Sequence, residues 1–228
     1  MRGETAENDQ LVGELQLALA HLDRALREIE GMQQVNRPAN DQNHAYLLAA
    51  HARLLVEVGR PDDALVEFEQ ARGLLTADRD RAIRLGDIAR LLAAKREVDQ
   101  ALKLHQDELA LYVAASDSRG IANTLWSIAR VKIRQQHSQL AFGHYAISYA
   151  ICLKIGNLVA ICHVGLDFAR LLCDLGRYEK CLSVLERSRD GFIELGRPGD
   201  ARYVQSKIDE IQSNRYASSE RSINSPAK

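Results

Sequence analysis

Along most of the chain, apolar residues recur every three or four positions, the period of a helix that buries one face. Polar breaks interrupt this pattern: VGRPDD at 58–63, AKREVDQ at 94–100, RQQHSQ at 134–139 and DLGRYEK at 174–180. The apolar spacing resumes on both sides of each break, so each predicts a short turn between two helices. Gly59 and Gly176 suit the end of a helix, and Pro61 suits the first turn of the next.

A five-residue motif repeats within this pattern. It reads HARLL at 51–55, IARLL at 88–92, IARVK at 128–132 and FARLL at 168–172, with intervals of 37, 40 and 40 residues. Twelve positions after the small residue of each motif stands another: Ala52 and Ala64, Ala89 and Ala101, Ala129 and Ala141, Ala169 and Cys181. Two antiparallel helices joined by a tight turn approach to about 8 Å only where the side chains between them are small. One small residue on each helix makes that closest contact, so the spacing predicts four helix–turn–helix units.

These positions resemble the tetratricopeptide repeat family, with its W-x2-L-G-x2-Y and A-x3-F pattern. The first copy reads Leu48, His51, Ala52, Leu55, Ala64 and Phe68, and the second Leu85, Ile88, Ala89, Leu92, Ala101 and His105. The third reads Leu125, Ile128, Ala129, Lys132, Ala141 and Tyr145, and the fourth Gly165, Phe168, Ala169, Leu172, Cys181 and Leu185. Lys132 and Gly165 depart from bulky positions, and the terminal proline is missing. The period near 40 exceeds the family's usual 34, which points to a longer second helix in each unit. The residues of 16–30 fit a leading second helix, with Ala18, Leu22 and Ala25 aligned to Ala64, Phe68 and Ala71. Residues 199–212 fit a closing helix with a polar outer face.

The resemblance implies an all-α fold: a right-handed superhelical solenoid of antiparallel helix pairs, with four full repeats and a helix at each end. The expected organisation is a flexible N-terminus at 1–8, the repeat domain at 9–213 and a polar, disordered tail at 214–228.

Composition narrows the function classes. With 30 basic and 31 acidic side chains the net charge is −1, so no overall field favours nucleic acid or an anionic membrane. No apolar run approaches the length of a membrane span, and MRGETAENDQ at 1–10 lacks the apolar stretch of a secretory signal, so none is expected. The four cysteines, Cys152, Cys162, Cys173 and Cys181, read as reduced thiols of a cytoplasmic protein. Cys173 and Cys181 bracket a turn and read as two small apolar residues of one hairpin. His51 and His105 sit at apolar positions of the repeat and read as core histidines with satisfied hydrogen bonds. No phosphate-binding glycine loop, nucleophile motif or metal-ligand spacing is present, so no catalytic residue, metal ligand or cofactor is assigned, and a non-enzyme is expected.

The motif arginines are the candidate chemistry. In the family the residue after the small position faces the concave groove, so the resemblance implies a ladder of Arg53, Arg90, Arg130 and Arg170. Rungs about 10 Å apart would meet about every third residue of an extended peptide, which advances about 3.3 Å per residue. The planar guanidinium suits carboxylates and carbonyls. Acids three or four residues away offer another account: Glu57 for Arg53, Asp87 for Arg90, and Asp167 and Asp174 for Arg170. Arg130 has no such acid. It shares a helix face with Asn123, Trp126, Ser127 and Arg134, and Trp126 is the chain's one tryptophan. Against a role in binding, Trp126 and Arg134 would pack on or pair with the neighbouring repeats.

The expected function is therefore a protein-interaction module or adaptor that holds an acidic or carboxylate-bearing segment of a partner in its groove. The alternatives are a scaffold that works through its convex face or terminal helices, self-association through those helices included, and a sensor of a small signalling peptide. QLVGELQLALAHL at 10–22 is the candidate for an exposed terminal face.

Overall fold

The computed structural model describes the backbone of residues 2–31 and 37–223 and the side chains of residues 10–31 and 40–214. The described residues form ten helices and no strand: α1 (Arg2–Gly31), α2 (Arg37–Glu57), α3 (Pro61–Leu74), α4 (Asp78–Ala94), α5 (Val98–Ala114), α6 (Ser118–Arg134), α7 (Ser138–Lys154), α8 (Leu158–Asp174), α9 (Tyr178–Glu194) and α10 (Pro198–Ile223). They divide into two compact units, Met1–Ser116 and Asp117–Lys228. In the first, α2 pairs with α3 and α4 with α5, and α1 packs on α2. In the second, α6 pairs with α7 and α8 with α9, and α10 packs on α9.

The small residues sit where the spacing places them. Ala52, Ala64, Ala89, Ala101, Ala129, Ala141 and Ala169 are all 0% exposed, and Cys181 is 1% exposed. A methyl group is thus the largest side chain that seven of these eight contacts admit. Around them the second unit builds an aromatic core on Phe168, whose ring centroid lies 5.6, 6.2 and 5.9 Å from those of Phe142, Tyr145 and Tyr149.

The turns explain the period. Each of the six helices α4 to α9 has 17 residues. Three-residue turns separate them, so the structural unit recurs every 20 residues and the sequence repeat is twice that. From α4 on, the two helices of a repeat are equally long, so the extra length of the period is not confined to the second helix. The first interval is 37 because α3, with 14 residues, is shorter than the helices that follow. Arg96, Ser116, Gln136, Gly156, Gly176 and Gly196 all take a left-handed backbone, with φ between 52 and 70°. After α4, the Arg96 N–H donates to the Ala93 carbonyl (3.2 Å) and the Glu97 N–H to the Leu92 carbonyl (2.9 Å). The same pair of bonds closes α6, α7, α8 and α9, satisfying carbonyls that a helix end leaves without partners.

Three expectations change. Cys173 and Cys181 are bonded as a disulfide, with a Cα–Cα distance of 5.6 Å. Cys181 is buried in the first turn of α9, across the three-residue turn from Cys173 in the last turn of α8. This removes one ground for reading four reduced thiols and a cytoplasmic setting, since disulfides persist in oxidising compartments. Cys152 and Cys162 are free and buried. At the C-terminus α10 continues to Ile223, through most of the segment expected as a tail, and residues 224–228 lie outside the described ones. At the other end α1 begins at Arg2, within the segment expected to be flexible. No helix among the described residues is long and apolar enough to cross a membrane.

The two core histidines differ. Nδ1 of His51 lies 2.8 Å from both Glu67 carboxylate oxygens, and Nε2 lies 3.4 Å from Asp23 on α1. His105 is 0% exposed and pairs through Nδ1 with buried Glu108 at 2.7 Å, but its Nε2 has no hydrogen-bond partner. Glu108 fits because residue 86 is glycine: a Cβ there would stand 2.5 Å from Glu108 Oε1.

Candidate functional site

Residues 87–90 read Asp-Ile-Ala-Arg and residues 167–170 read Asp-Phe-Ala-Arg, two repeats apart. The arginine of each is one helical turn beyond its aspartate, so both side chains share a face. In each unit that aspartate also receives the motif arginine of the preceding repeat. The four ladder arginines thus form two pairs, each centred on one carboxylate.

In the first unit Asp87 is buried, with its side chain 6% exposed. Arg53 from α2 reaches Oδ2 at 3.1 Å, and Arg90 from its own helix bonds to Oδ1. Arg53 therefore takes its charge partner from α4 rather than through the local acid Glu57. A third guanidinium joins them. Arg84 of α4 places Nη1 3.1 Å from Asp87 Oδ2 without the alignment of a hydrogen bond. Its side chain is only 7% exposed, and burial lowers its pKa below the ordinary arginine value despite the attraction of Asp87.

In the second unit Asp167 is more open, with its side chain 25% exposed. Its Oδ2 accepts a hydrogen bond from Trp126 Nε1 at 2.8 Å. Arg130 Nε lies 3.7 Å from the same oxygen, and Arg170 Nη2 lies 3.7 Å from Oδ1. Arg130, which has no acid on its own helix, is thus compensated from the next repeat. Its guanidinium carbon stands 5.5 Å from the Trp126 ring centroid, within cation–π range. Below the cluster, Tyr145 on α7 is fully buried and its hydroxyl has no hydrogen-bond partner. Burial, with a smaller contribution from the charge of Asp167, pushes the phenol pKa well up and keeps it neutral.

Asn123, Arg130 and Arg134 are exposed and Trp126 and Ser127 half-buried, as one helix face requires. Arg134 is already engaged and is not a free cation. Of the predicted residues the structure joins Trp126, Arg130 and Arg170 around Asp167, and Arg53 and Arg90 around Asp87. Asn123 belongs to neither cluster.

The Asp167 cluster opens onto a cleft of about 490 Å³ between α8 and α10, floored by α9. Leu166, Leu185, Ile211 and the Cys173–Cys181 disulfide make its apolar surface, and Asp167, Arg170, Asp174, Tyr203, Lys207 and Glu210 its polar one. Lys207 pairs with Glu210 at 2.9 Å. The sequence pattern does not mark Arg84, Tyr203 or Lys207, and it places Tyr145 only as a position of the repeat. Only the recurrence of Asp-x-Ala-Arg, at 87–90 and 167–170, signals the two centres, and it shows just one of the two arginines each aspartate takes. Among the described residues, no group of three or more His, Cys, Asp and Glu side chains could hold a metal ion.

The sequence matches no family model and no curated protein. Solved structures do resemble the fold. BtubC (BKLC) from P. vanneervenii aligns over 94% of both chains with a TM-score of 0.64 and 12% identity. A Rap protein complexed with Competence and Sporulation Factor matches 86% of this chain with a TM-score of 0.70 and 18% identity; this chain spans 53% of its length. The Rap conjugation gene regulator of plasmid pLS20, in complex with a Phr peptide, matches 89% with a TM-score of 0.65 and 13% identity; 54% of its length is covered. Together with the buried small-residue contacts and the recurring helix pairs, these likenesses make the fold a tetratricopeptide-type helical repeat.

Proposed function

We propose that this chain is a non-enzymatic interaction module that holds a segment of a partner protein, acidic or bearing a free carboxylate, against the Asp167 cluster and its cleft. One observation carries the reading. Arg130 and Arg170 are 51% and 67% exposed, and each stands 3.7 Å from a single shared carboxylate. With Asp174 and the Lys207–Glu210 pair the charges beside the cleft balance. What the two guanidiniums offer is exposed N–H donors that a single shared carboxylate at 3.7 Å does not saturate, next to an apolar floor. An incoming carboxylate gains charge-assisted hydrogen bonds there, while apolar neighbours in the same segment cover Leu166, Leu185 and Ile211. Trp126 supports the arrangement by fixing Asp167 through its indole N–H, and tryptophan and arginine dominate binding hot spots. A solved structure of the same fold carries a Phr peptide, which fits a peptide-binding use of the fold.

The test is a paired pull-down with the wild-type chain and a Trp126→Ala/Arg130→Glu variant, with thermal melts to establish that both are folded. A partner captured by the wild type and lost by the variant supports the reading. An unchanged set of partners overturns it.

A second reading is favoured by α1, where Leu11, Val12 and Leu17 are 54%, 50% and 60% exposed. Exposed apolar side chains of this kind suit a scaffold that docks through its first helix, or self-association. Sedimentation of the wild type and of a Leu11→Ser/Leu17→Ser variant separates the two: association lost in the variant identifies α1 as the contact.

A further inference from the structure

We infer that the Asp87 cluster of the first unit is a second anion site, one that holds an oxyanion of the partner segment between Arg53 and Arg90. The inference rests on the reading of an acidic partner and names where the first unit grips it.

Arg84 is the observation that calls for an explanation. In the repeat register its counterparts are Leu47, Thr124 and Val164, so the fold packs this position with apolar or small residues everywhere else. A buried guanidinium is costly unless it is paired and fully hydrogen-bonded. Arg84 has a charge partner in Asp87, yet its buried Nη1 makes no hydrogen bond. The reason is competition. Asp87 divides its two oxygens among three guanidiniums, those of Arg53, Arg84 and Arg90. The other acid that acts on Arg84, Asp80, accepts a hydrogen bond from the Tyr46 hydroxyl at 3.1 Å. Three cations against two carboxylates leave one positive charge in the cluster.

The two outer arginines are half-exposed, 53% for Arg53 and 52% for Arg90, and come from adjacent repeats. An oxyanion arriving from solvent meets both. As they turn to it, Asp87 is released to complete its hydrogen bond with Arg84. The buried cation thus acts as a positioning residue: it rewards the exchange and touches no ligand itself. The Asp167 cluster lacks this device, because its third donor is the neutral indole of Trp126 and its aspartate is a quarter exposed.

The test uses the full chain and follows arginine Nε–Hε resonances while inorganic phosphate or N-acetylglutamate is titrated in at ionic strength held constant with chloride. Saturable shifts at Arg53, Arg84 and Arg90 are expected, weakened at least tenfold in apparent affinity by Arg84→Met. Saturation by phosphate alone assigns the site to a phosphorylated segment, and saturation by N-acetylglutamate as well assigns it to acidic side chains. Shifts that do not saturate, or that equal those of exposed Arg24, overturn the inference. If Arg84→Met does not fold, Arg53→Gln, altered at an exposed side chain, is read by the same loss of affinity. Repeating the titration on Trp126→Ala/Arg130→Glu keeps the two ideas apart. Shifts retained there while partner capture is lost uphold both. Shifts absent in the wild type, with capture still lost in that variant, overturn this inference and leave the Asp167 reading standing.

Discussion

Asp87 and Asp167 occupy the same register in the repeat but stand in different surroundings, and replacing each by asparagine should expose the difference. In Asp87→Asn the carbonyl oxygen still accepts a hydrogen bond, but the charge that compensates Arg84 is gone. Both members of that pair are more than nine-tenths buried. Removing one partner of a buried pair costs about 3–5 kcal/mol, because the remaining charge stays desolvated. The exposed Arg53 and Arg90 add at most about 1 kcal/mol each. Asp167→Asn keeps an acceptor for Trp126 Nε1 and strands no buried cation, so its cost should be about 1 kcal/mol. For a chain of this size 1 kcal/mol shifts the melting point by about 2–4 °C. Asp87→Asn should therefore melt about 6–20 °C below the wild type, and Asp167→Asn no more than about 4 °C below it. Urea titration by circular dichroism measures both, and fluorescence of Trp126 reports the second unit separately. A second substitution, Arg84→Met in the Asp87→Asn background, should recover at least half of the loss by removing the stranded charge. Equal destabilisation by the two asparagine substitutions, or no recovery in the double variant, would refute the assignment of Arg84 as a buried cation held by Asp87.

Four further outcomes follow from the packing and the turns. Gly86→Ala puts a Cβ 2.5 Å from Glu108 Oε1, and should cost about 1–2 kcal/mol in urea unfolding after its helix-propensity gain. Adding His105→Phe and Glu108→Ala, the residues found at positions 68 and 71 of the preceding repeat, should cancel that cost. Gln136→Gly should raise stability by about 1 kcal/mol, since Gln136 holds a left-handed φ of 61°, and a lowered melting point would contradict the turn geometry. Reduction of Cys173–Cys181 opens a short loop, with a sequence separation of 8, and should cost about 2.5 kcal/mol. The Cys173→Ser/Cys181→Ala variant should then show no further response to reductant. Tyr145→Phe removes a buried hydroxyl with no partner, so melting should be unchanged or raised by up to about 1 kcal/mol in stability. A clear loss would mean that the hydroxyl is bonded in solution.

Much of the fold was legible because its closest contacts are local and tolerate few residue types. A small residue recurring twelve positions after another, across a polar break, leaves little choice but a helical hairpin, and all eight such residues are buried. The 20-residue structural period was hidden because helix ends are closed by backbone bonds that any residue can make. Glycine marks only some of the left-handed positions; Arg96, Ser116 and Gln136 hold the others. The candidate site was half legible. Arg90 and Arg170 declare their aspartates one turn away, whereas Arg53 and Arg130 find theirs on the next repeat, at 34 and 37 residues' distance in sequence.

The sequence by itself therefore determined the helices, their pairing and the faces that carry the arginines, since these depend on periodicity and side-chain size within one hairpin. Only the tertiary structure decided which charges meet. Nothing in the sequence pattern marks Arg84, which is a buried cation because α4 turns it inward beside Asp87. Cys173 and Cys181 read as two small core residues, and become a disulfide because the pairing of α8 with α9 brings their Cα atoms to 5.6 Å. Charge pairing and bond formation depend on distances between elements to within an ångström or so, and a one-dimensional pattern does not carry that information.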